Sequence, residues 1–158
     1  MHPFTRLNVW AKAHELTIRI YRITDGSMTR RYPGLSFQLR RAIAAIPANI
    51  AEGAGHNSQA QFNRYLEIAI ASSHEAMYHL LLAKDLEAIT STDYALLEAR
   101  LKEVQAKLVL LRKRVLEHVK EHAKRGGRTA SPLSSISLPR PVTPGTKERA
   151  RATPRSST

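Results

Sequence analysis

The chain has 158 residues, enough for one domain and an appendage, and carries 25 Lys and Arg against 13 Asp and Glu, a net charge of +12. This surplus favours nucleic acid or an acidic protein surface as a partner, with solubility alone as the alternative explanation. The absence of cysteine excludes disulfides, thiolate metal sites and a cysteine nucleophile, and it is compatible with a reducing cytoplasm. The first residues, MHPFTRLNVW, contain no long apolar run, and no segment approaches the roughly 20 apolar residues of a membrane span. We therefore expect no secretory leader, no membrane insertion and a cytoplasmic location.

Apolar residues at helical spacing predict four helices in chain order. The first covers about Thr5–Ile23 and stops before Gly26, and a loop over Ser27–Gly34 follows. The second covers about Leu35–Glu52 and is ended by glycines. The third begins at Ser58, with a Gln three residues later as its capping partner, and ends near residue 88. The fourth begins near residue 92 or 93.

The two later helices are predicted to be longer than the two earlier ones. The fourth repeats apolar residues in heptad steps, which indicates packing on a partner helix along its whole length. These core positions are Tyr94, Leu97, Leu101, Val104, Leu108, Leu111 and Val115. The pattern predicts an all-α, antiparallel up-down four-helix bundle over residues 1–123. Apolar groups on the projecting ends of the long helices need cover, so we expect self-association; frayed helix ends are the alternative.

The composition changes at residue 124. Residues 124–158 hold eight basic residues and one acid, five of the eight prolines, many Ser and Thr and no aromatic residue. Such a segment cannot bury enough apolar surface to offset the entropy of ordering. We predict a disordered, basic C-terminal tail over residues 124–158.

The segment RAIAAIPANIAEG carries polar and helix-breaking residues inside an apolar helix. Pro47 lacks the amide that would bond the carbonyl of Ile43, so the helix should bend there. Asn49 can bond freed backbone groups or a neighbouring helix. Glu52 lies at the helix end, where the macrodipole disfavours a negative charge, so we expect a cationic side chain or the N–H groups of the next helix as its partner. We interpret these three residues and Gly53 as a structural motif that fixes this helix and its turn into the next.

The same segment carries a resemblance to a known family. Leu7–Ala13, Gly34–Arg41, Asn49–Gly53 and Phe62–Glu75 together resemble the intervening-sequence proteins, a four-helix-bundle family encoded within insertions in bacterial large-subunit ribosomal RNA genes. They are also similar to the accessory variability proteins of diversity-generating retroelements. The resemblance implies an antiparallel four-helix protomer in a ring-like pentamer. For the accessory branch it also implies binding of a reverse transcriptase and nucleic acid, and for the intervening-sequence branch it implies a fold without a settled activity.

Three kinds of chemical site have weak support in the sequence. His118 and His122 could hold a metal at i, i+4, but two histidines at a helix C-terminus also serve as dipole partners. The run 72–75 contains Ser, His and Glu, but adjacent helical residues point in different directions and cannot converge as a triad. The glycines of 52–57 could bind an anion before the third helix, but a helix-to-helix turn also explains them. We therefore expect no enzyme, no metal site and no cofactor.

Basic residues supply the remaining candidate site. The lack of exposed aromatic runs argues against base stacking and favours contacts to the phosphate backbone. The predicted nucleic-acid-binding residues are Arg30, Arg31, Arg40, Arg41, Lys107, Arg112, Lys113, Arg114, Lys120, Lys124, Arg125 and Arg128. The sequence thus favours an oligomeric, non-enzymatic accessory protein that binds RNA or an RNA–DNA intermediate, with a reverse transcriptase as a candidate partner. The alternative is an oligomeric protein–protein scaffold whose charge serves an acidic partner.

Overall fold

The computed structural model describes residues 3–124, and every regular element in that range is a helix. A short 3-10 turn precedes five α-helices, which are α1 (Asn8–Ile23), α2 (Ser27–Arg31), α3 (Pro33–Gly55), α4 (Gln59–Asp85) and α5 (Ser91–Lys124). The four long helices pack in the cyclic order α1, α3, α4 and α5, and α1 and α5 close the ring. Short connections make consecutive long helices antiparallel. The predicted all-α bundle is confirmed. Lys124, the first residue of the predicted tail, is the last residue of α5, and residues 125–158 lie outside the described residues.

The core of the bundle is built from one apolar stripe on each long helix. The heptad positions of α5 from Leu97 to Val115 are all buried, and Tyr94 packs against the core edge. The other helices contribute Val9, Ala13, Leu16, Ile20, Leu39, Ile43, Ile46, Ile50, Phe62, Leu66, Ala69, Ala76 and Leu80. The 4-3 spacing that predicted these positions places them all on the inner face, because i, i+3 and i+4 neighbours share one side of a helix.

Helix boundaries differ from the prediction in the first half of the chain. The predicted loop contains the short helix α2, and Gly26 before it adopts a φ of +72°, the left-handed region that favours glycine. α3 begins at Pro33, whose fixed φ suits a first helical turn, and continues to Gly55. The two later helices are longer than the two earlier ones, as predicted: α4 has 27 residues and α5 has 34, against 16 in α1 and 23 in α3.

Hydrogen bonds around Thr24 fix the connection between α1 and α3. The Thr24 hydroxyl donates to the carbonyl of Ile20 at 2.7 Å and accepts from Nε of Arg40 at 2.8 Å. The Thr24 carbonyl accepts from the Thr29 hydroxyl at 2.6 Å, and that hydroxyl lies 2.9 Å from Oγ of Ser36. Thr24 and Ser36 are buried, so their polar groups require these partners. The connection is thus a bonded corner rather than a free loop.

The carbonyl that Pro47 leaves without an amide has a donor from another helix. The hydroxyl of Thr17 on α1 lies 3.2 Å from the carbonyl oxygen of Ile43, and 2.8 Å from the carbonyl four residues earlier in its own helix. Nδ2 of Asn49 donates to the carbonyl of Ala45 at 2.7 Å. Since the Thr17 hydroxyl has one proton, it is shared between these two carbonyls, and the carbonyl of Ile43 receives the longer part of a bifurcated hydrogen bond in place of the missing N–H.

α3 and α4 meet most closely at Gly53. A Cβ at this position would lie 2.6 Å from Cβ of Tyr65 and 2.9 Å from Cδ2 of Phe62, so only glycine fits. The hydroxyl of Tyr65 donates to Oε1 of Glu52 at 2.7 Å, and this hydrogen bond to a carboxylate raises the pKa of Tyr65. Glu52 thus has a partner on the next helix, as expected, but it is a phenol rather than a cation or backbone N–H. The ring of His56 stacks on Tyr65 with centroids 5.1 Å apart.

Candidate nucleic-acid interface

Charge is unevenly distributed within the bundle. Residues 3–41 contain eight Lys and Arg and only two acids, a net charge of +6. Residues 42–124 contain ten Lys and Arg and ten acids, a net charge of zero. The charge surplus of the described residues therefore lies on α1, α2 and the first turns of α3. A polyanion would be attracted to this part of the bundle first.

Two predicted cations of α5 have acidic partners, one on the next helix and one on α5 itself. Nη2 of Arg112 pairs with Oε1 of Glu67 on α4, and Nζ of Lys107 lies 3.8 Å from Oε1 of Glu103. The same carboxylate is 2.9 Å from Nζ of Lys12 on α1, and this hydrogen bond lowers the pKa of Glu103. Arg112 and Lys12 thus pair between helices and Lys107 pairs within α5, so the charge of each is offset by a neighbouring acid.

Arg40 and Arg41 also have intramolecular partners. Nη2 of Arg40 donates to the carbonyl of Tyr21 at 3.2 Å, and the guanidinium lies 5.1 Å from the centroid of the Tyr21 ring. Oδ1 of Asp25 is 3.7 Å away. Arg40 thus supplies a positive charge at the C-terminus of α1, where last-turn carbonyls lack partners. Arg41 pairs with Glu75 on α4.

The remaining predicted cations point outward. Arg30 and Arg31 are exposed in α2, and Lys113, Arg114 and Lys120 are exposed on α5. None of them pairs with a carboxylate in the described part of the chain. Lys124 is the last residue of α5, and Arg125 and Arg128 lie beyond the described residues. Sequence reasoning missed three further cations that make no ion pair with a described carboxylate, namely Arg6, Arg19 and Arg22.

The arrangement at the α2 end of the bundle suits phosphate contact. Arg22 lies in the last turn of α1, and Arg30 and Arg31 form the end of α2. Guanidinium groups without carboxylate partners can bond phosphate oxygens in bidentate fashion without first breaking an ion pair. Counting acids along the sequence would have found this region, because residues 3–41 contain only Glu15 and Asp25.

Other kinds of site find no support in residues 3–124. No group of three or more His, Asp and Glu side chains there is arranged to hold a metal ion. None of the helices in this range has both the length and the apolar character of a bilayer span.

Comparison with known proteins places the chain in a family. The sequence profile of the 23S rRNA-intervening sequence protein matches residues 5–109. A crystal structure described as a protein with unknown function from the S23 ribosomal protein family, from Bacteroides thetaiotaomicron, matches with a TM-score of 0.62 and 29% sequence identity. That match covers 66% of this chain and 98% of the other. No curated protein sequence matches the chain significantly, and neither matching description names an enzymatic activity. The chain belongs to the 23S rRNA-intervening sequence protein family.

Proposed function

We propose that this protein is a non-enzymatic nucleic-acid-binding protein that contacts the phosphate backbone of RNA or of an RNA–DNA intermediate. One observation carries the proposal: the net +6 of residues 3–41, set against the zero net charge of residues 42–124. Acids of residues 42–124 pair with Lys12 and Arg41, but the other cations of residues 3–41 leave a surplus that can release counterions from a polyanion on binding. The relation of the family to ribosomal RNA genes agrees with such a role.

The proposed contacts fall into three groups, with four further cations that also pair within the fold. Arg30 and Arg31, with Arg22 beside them, form the principal group. Lys113, Arg114 and Lys120 on α5 form a second group, next to acids that reduce their field. Arg40, Arg41, Lys107 and Arg112 hold the fold together and contribute through their remaining N–H groups. Lys124, Arg125 and Arg128 form the third group, at the start of the basic tail.

The accessory role is proposed on the resemblance to the retroelement proteins. In that role the protein holds nucleic acid against a reverse transcriptase in the cytoplasm. A reverse transcriptase gene with template and variable repeats beside the coding sequence would support it. A position inside a ribosomal RNA gene would instead support the intervening-sequence branch.

Self-association is the second part of the proposal, as a ring-like pentamer on family grounds. Large apolar side chains lie on the surface of three helices: Phe37 is 64% exposed, Tyr78 is 61% exposed and Val109 is 57% exposed. Covering them stabilises an assembly, and repeated basic surfaces strengthen the field. The same side chains favour the second candidate function, an oligomeric scaffold for an acidic partner. Light scattering tests assembly: a particle of 17.7 kDa at working concentration would contradict it.

A salt titration of RNA binding separates the two candidate functions. We expect tight binding that weakens steeply with salt. In a plot of log affinity against log salt concentration, each phosphate contacted should contribute a downward slope of about 0.7 on a single strand and about 0.9 on a duplex. The variant Arg30→Glu/Arg31→Glu should bind more weakly and show a shallower slope. Arg64→Glu is the control, because Arg64 is exposed, lies on α4 and makes no ion pair with a described carboxylate.

Two results would contradict the nucleic-acid proposal. One is affinity no greater than that of an unrelated protein of equal net charge. The other is equal affinity of the Arg30→Glu/Arg31→Glu variant and the wild type.

A truncation after His122 tests the tail separately, and we expect weaker polyanion binding with unchanged helix content and assembly.

A further inference from the structure

The side of α1 that faces α3 carries a row of ring side chains. His14 stacks on Trp10 with centroids 5.0 Å apart and planes within 9°, and Phe4 packs against Trp10 at 4.9 Å. His14 is exposed, while Trp10 and Phe4 are partly buried, so the outer part of this stack meets solvent. Trp10 and His14 are four residues apart, which puts them on one side of the helix but hides them from a search for consecutive aromatic residues.

The row continues toward the α2 end of the bundle. Ile18, the next position on this side, is 40% exposed, and Tyr21 is 43% exposed. A surface concavity at this point is lined by Thr17, Ile18, Tyr21, Arg22, Asp25 and Arg40. An apolar floor, a phenol ring and two guanidinium groups beside a single carboxylate thus share one concave surface.

The dimensions fit stacked nucleobases. His14 and Tyr21 are seven residues apart in α1, which corresponds to about 10 Å along the helix axis. Bases stacked at about 3.4 Å spacing cover that distance in three steps, so two bases fit between the two ring positions. Ile18 lies between the two ring positions along α1. Arg22 and Arg40 line the concavity beside Tyr21, and the Arg40 guanidinium lies over one face of the Tyr21 ring, which leaves the other face for a base.

The charge around the row identifies the occupant. The row lies on residues 3–41, where the net charge is +6. Of the other exposed rings, Phe37 on α3 lies in the same cationic part, and Tyr78 on α4 lies in the part of the bundle whose net charge is zero. An uncharged protein surface gains nothing from the cations around the row. A single strand gains from both features, because its phosphates are attracted by the cations and its unpaired bases can stack on the rings.

We propose that the row formed by Trp10, His14, Ile18 and Tyr21 binds single-stranded nucleic acid by stacking of its bases. This inference rests on the proposed function and adds to it a preference for single strands, because the base faces of a duplex are already stacked on one another. Stacking on protein rings tolerates any base sequence, so it agrees with binding that lacks strong sequence preference. It replaces the expectation from sequence that base stacking plays no part.

The test uses Trp10, the single tryptophan of the chain, as a fluorescent probe. The full-length protein is titrated with an unstructured 12-nucleotide RNA homopolymer and with a 12-base-pair RNA duplex. We expect the single strand to quench or shift Trp10 emission, and the duplex to bind with little change in emission. Tyr21→Ala and His14→Ala should each weaken single-strand binding on the order of tenfold and change duplex binding less than about twofold. Tyr78→Ala is the matched control, since its ring is more exposed and lies on α4.

Each other outcome has a separate meaning. Single-strand binding that leaves Trp10 emission unchanged and is insensitive to both variants would overturn the stacking site and leave the proposed function intact. Binding of neither RNA would overturn the proposed function and the inference together. A third result would also overturn the inference: Trp10 emission that changes with protein concentration in the absence of RNA, together with dissociation of the oligomer in Tyr21→Ala. It would show that a second copy of the chain covers the row.

Discussion

The two parts of the bundle carry similar numbers of cations, eight in residues 3–41 and ten in residues 42–124, but two acids in the first and ten in the second. In the second part, acids pair with cations, as in Arg112 with Glu67 across a helix contact and Lys102 with Glu98 along α5. In the first part, five of the eight cations make no ion pair with a described carboxylate, namely Arg6, Arg19, Arg22, Arg30 and Arg31. Basic residues that align helices and basic residues that attract a polyanion therefore differ in their neighbours and not in their type.

Reversing charge in the two parts should have unequal effects on binding. Replacing Arg22, Arg30 and Arg31 by Glu brings the net charge of residues 3–41 from +6 to zero. We expect RNA affinity to fall about 100-fold or more at moderate salt. The slope of log affinity against log salt concentration should become shallower by about 2, because the lost phosphate contacts no longer release counterions. Fluorescence anisotropy over a salt series measures both quantities.

The matched control changes total charge by the same amount on α5. Replacing Lys113, Arg114 and Lys120 by Glu should lower affinity about tenfold or less, since the field there is already reduced by acids. Equal losses for the two triple variants would show that total charge, rather than its distribution, governs binding.

The closest contact between α3 and α4 should matter for stability and not for binding. Gly53→Ala places a methyl against Tyr65 and Phe62, and overpacking of this kind costs about 1–3 kcal/mol of the free energy of unfolding. We expect Tm to fall by about 5–10 °C while the RNA affinity of the folded protein is unchanged. Gly55→Ala is the control, because nothing lies within 4 Å of a Cβ there. A Tm loss in Gly55→Ala as large as in Gly53→Ala would contradict the packing explanation.

The hydroxyl of Thr17 should be coupled to Pro47. Thr17→Val removes the donor to the carbonyl of Ile43 and should lower the free energy of unfolding by about 1 kcal/mol. In a Pro47→Ala background the alanine amide can bond the carbonyl of Ile43, so Thr17→Val should lower the free energy of unfolding by less. Chemical denaturation of the two single variants and the double variant measures the coupling. Additive losses would mean that the hydroxyl does not substitute for the missing amide.

The smallest expected effect is a pH dependence of the α1–α5 contact. Hydrogen bonding from Lys12 lowers the pKa of Glu103 below the ordinary value of 4.5. Because the folded-state pKa is the lower one, this pair stabilises the protein above about pH 4.5, and the stabilisation is lost as pH falls through the lowered pKa. Lys12→Met should lower Tm by about 1–2 °C at pH 7 and by less at pH 3, where more of Glu103 is protonated. A Tm difference of the same size at pH 3 would assign the effect to packing of the Lys12 stem.

Periodicity predicted the helices because burial on one helix face leaves a direct pattern in the sequence. It did not predict α2, which is five residues long and is held by the bonded corner at Thr24 rather than by an apolar stripe. The start of α3 was missed although Pro33 is a typical first-turn residue. The basic residues could be named from sequence, but their partners could not, because Arg112 meets Glu67 from a position 45 residues away. The ring row was missed because its members are spaced by a helical turn.

The pairing of Thr17 with the carbonyl that Pro47 leaves open has a consequence for how the chain is made. α3 cannot complete its own backbone bonding; the group it lacks belongs to α1. Synthesis proceeds from the N-terminus, so α1 leaves the ribosome first and the hydroxyl is already present when the proline emerges. A chain without α1 would leave the carbonyl of Ile43 without a hydrogen-bond donor in the middle of α3. The order of the helices in the gene thus matches the order in which the fold needs them.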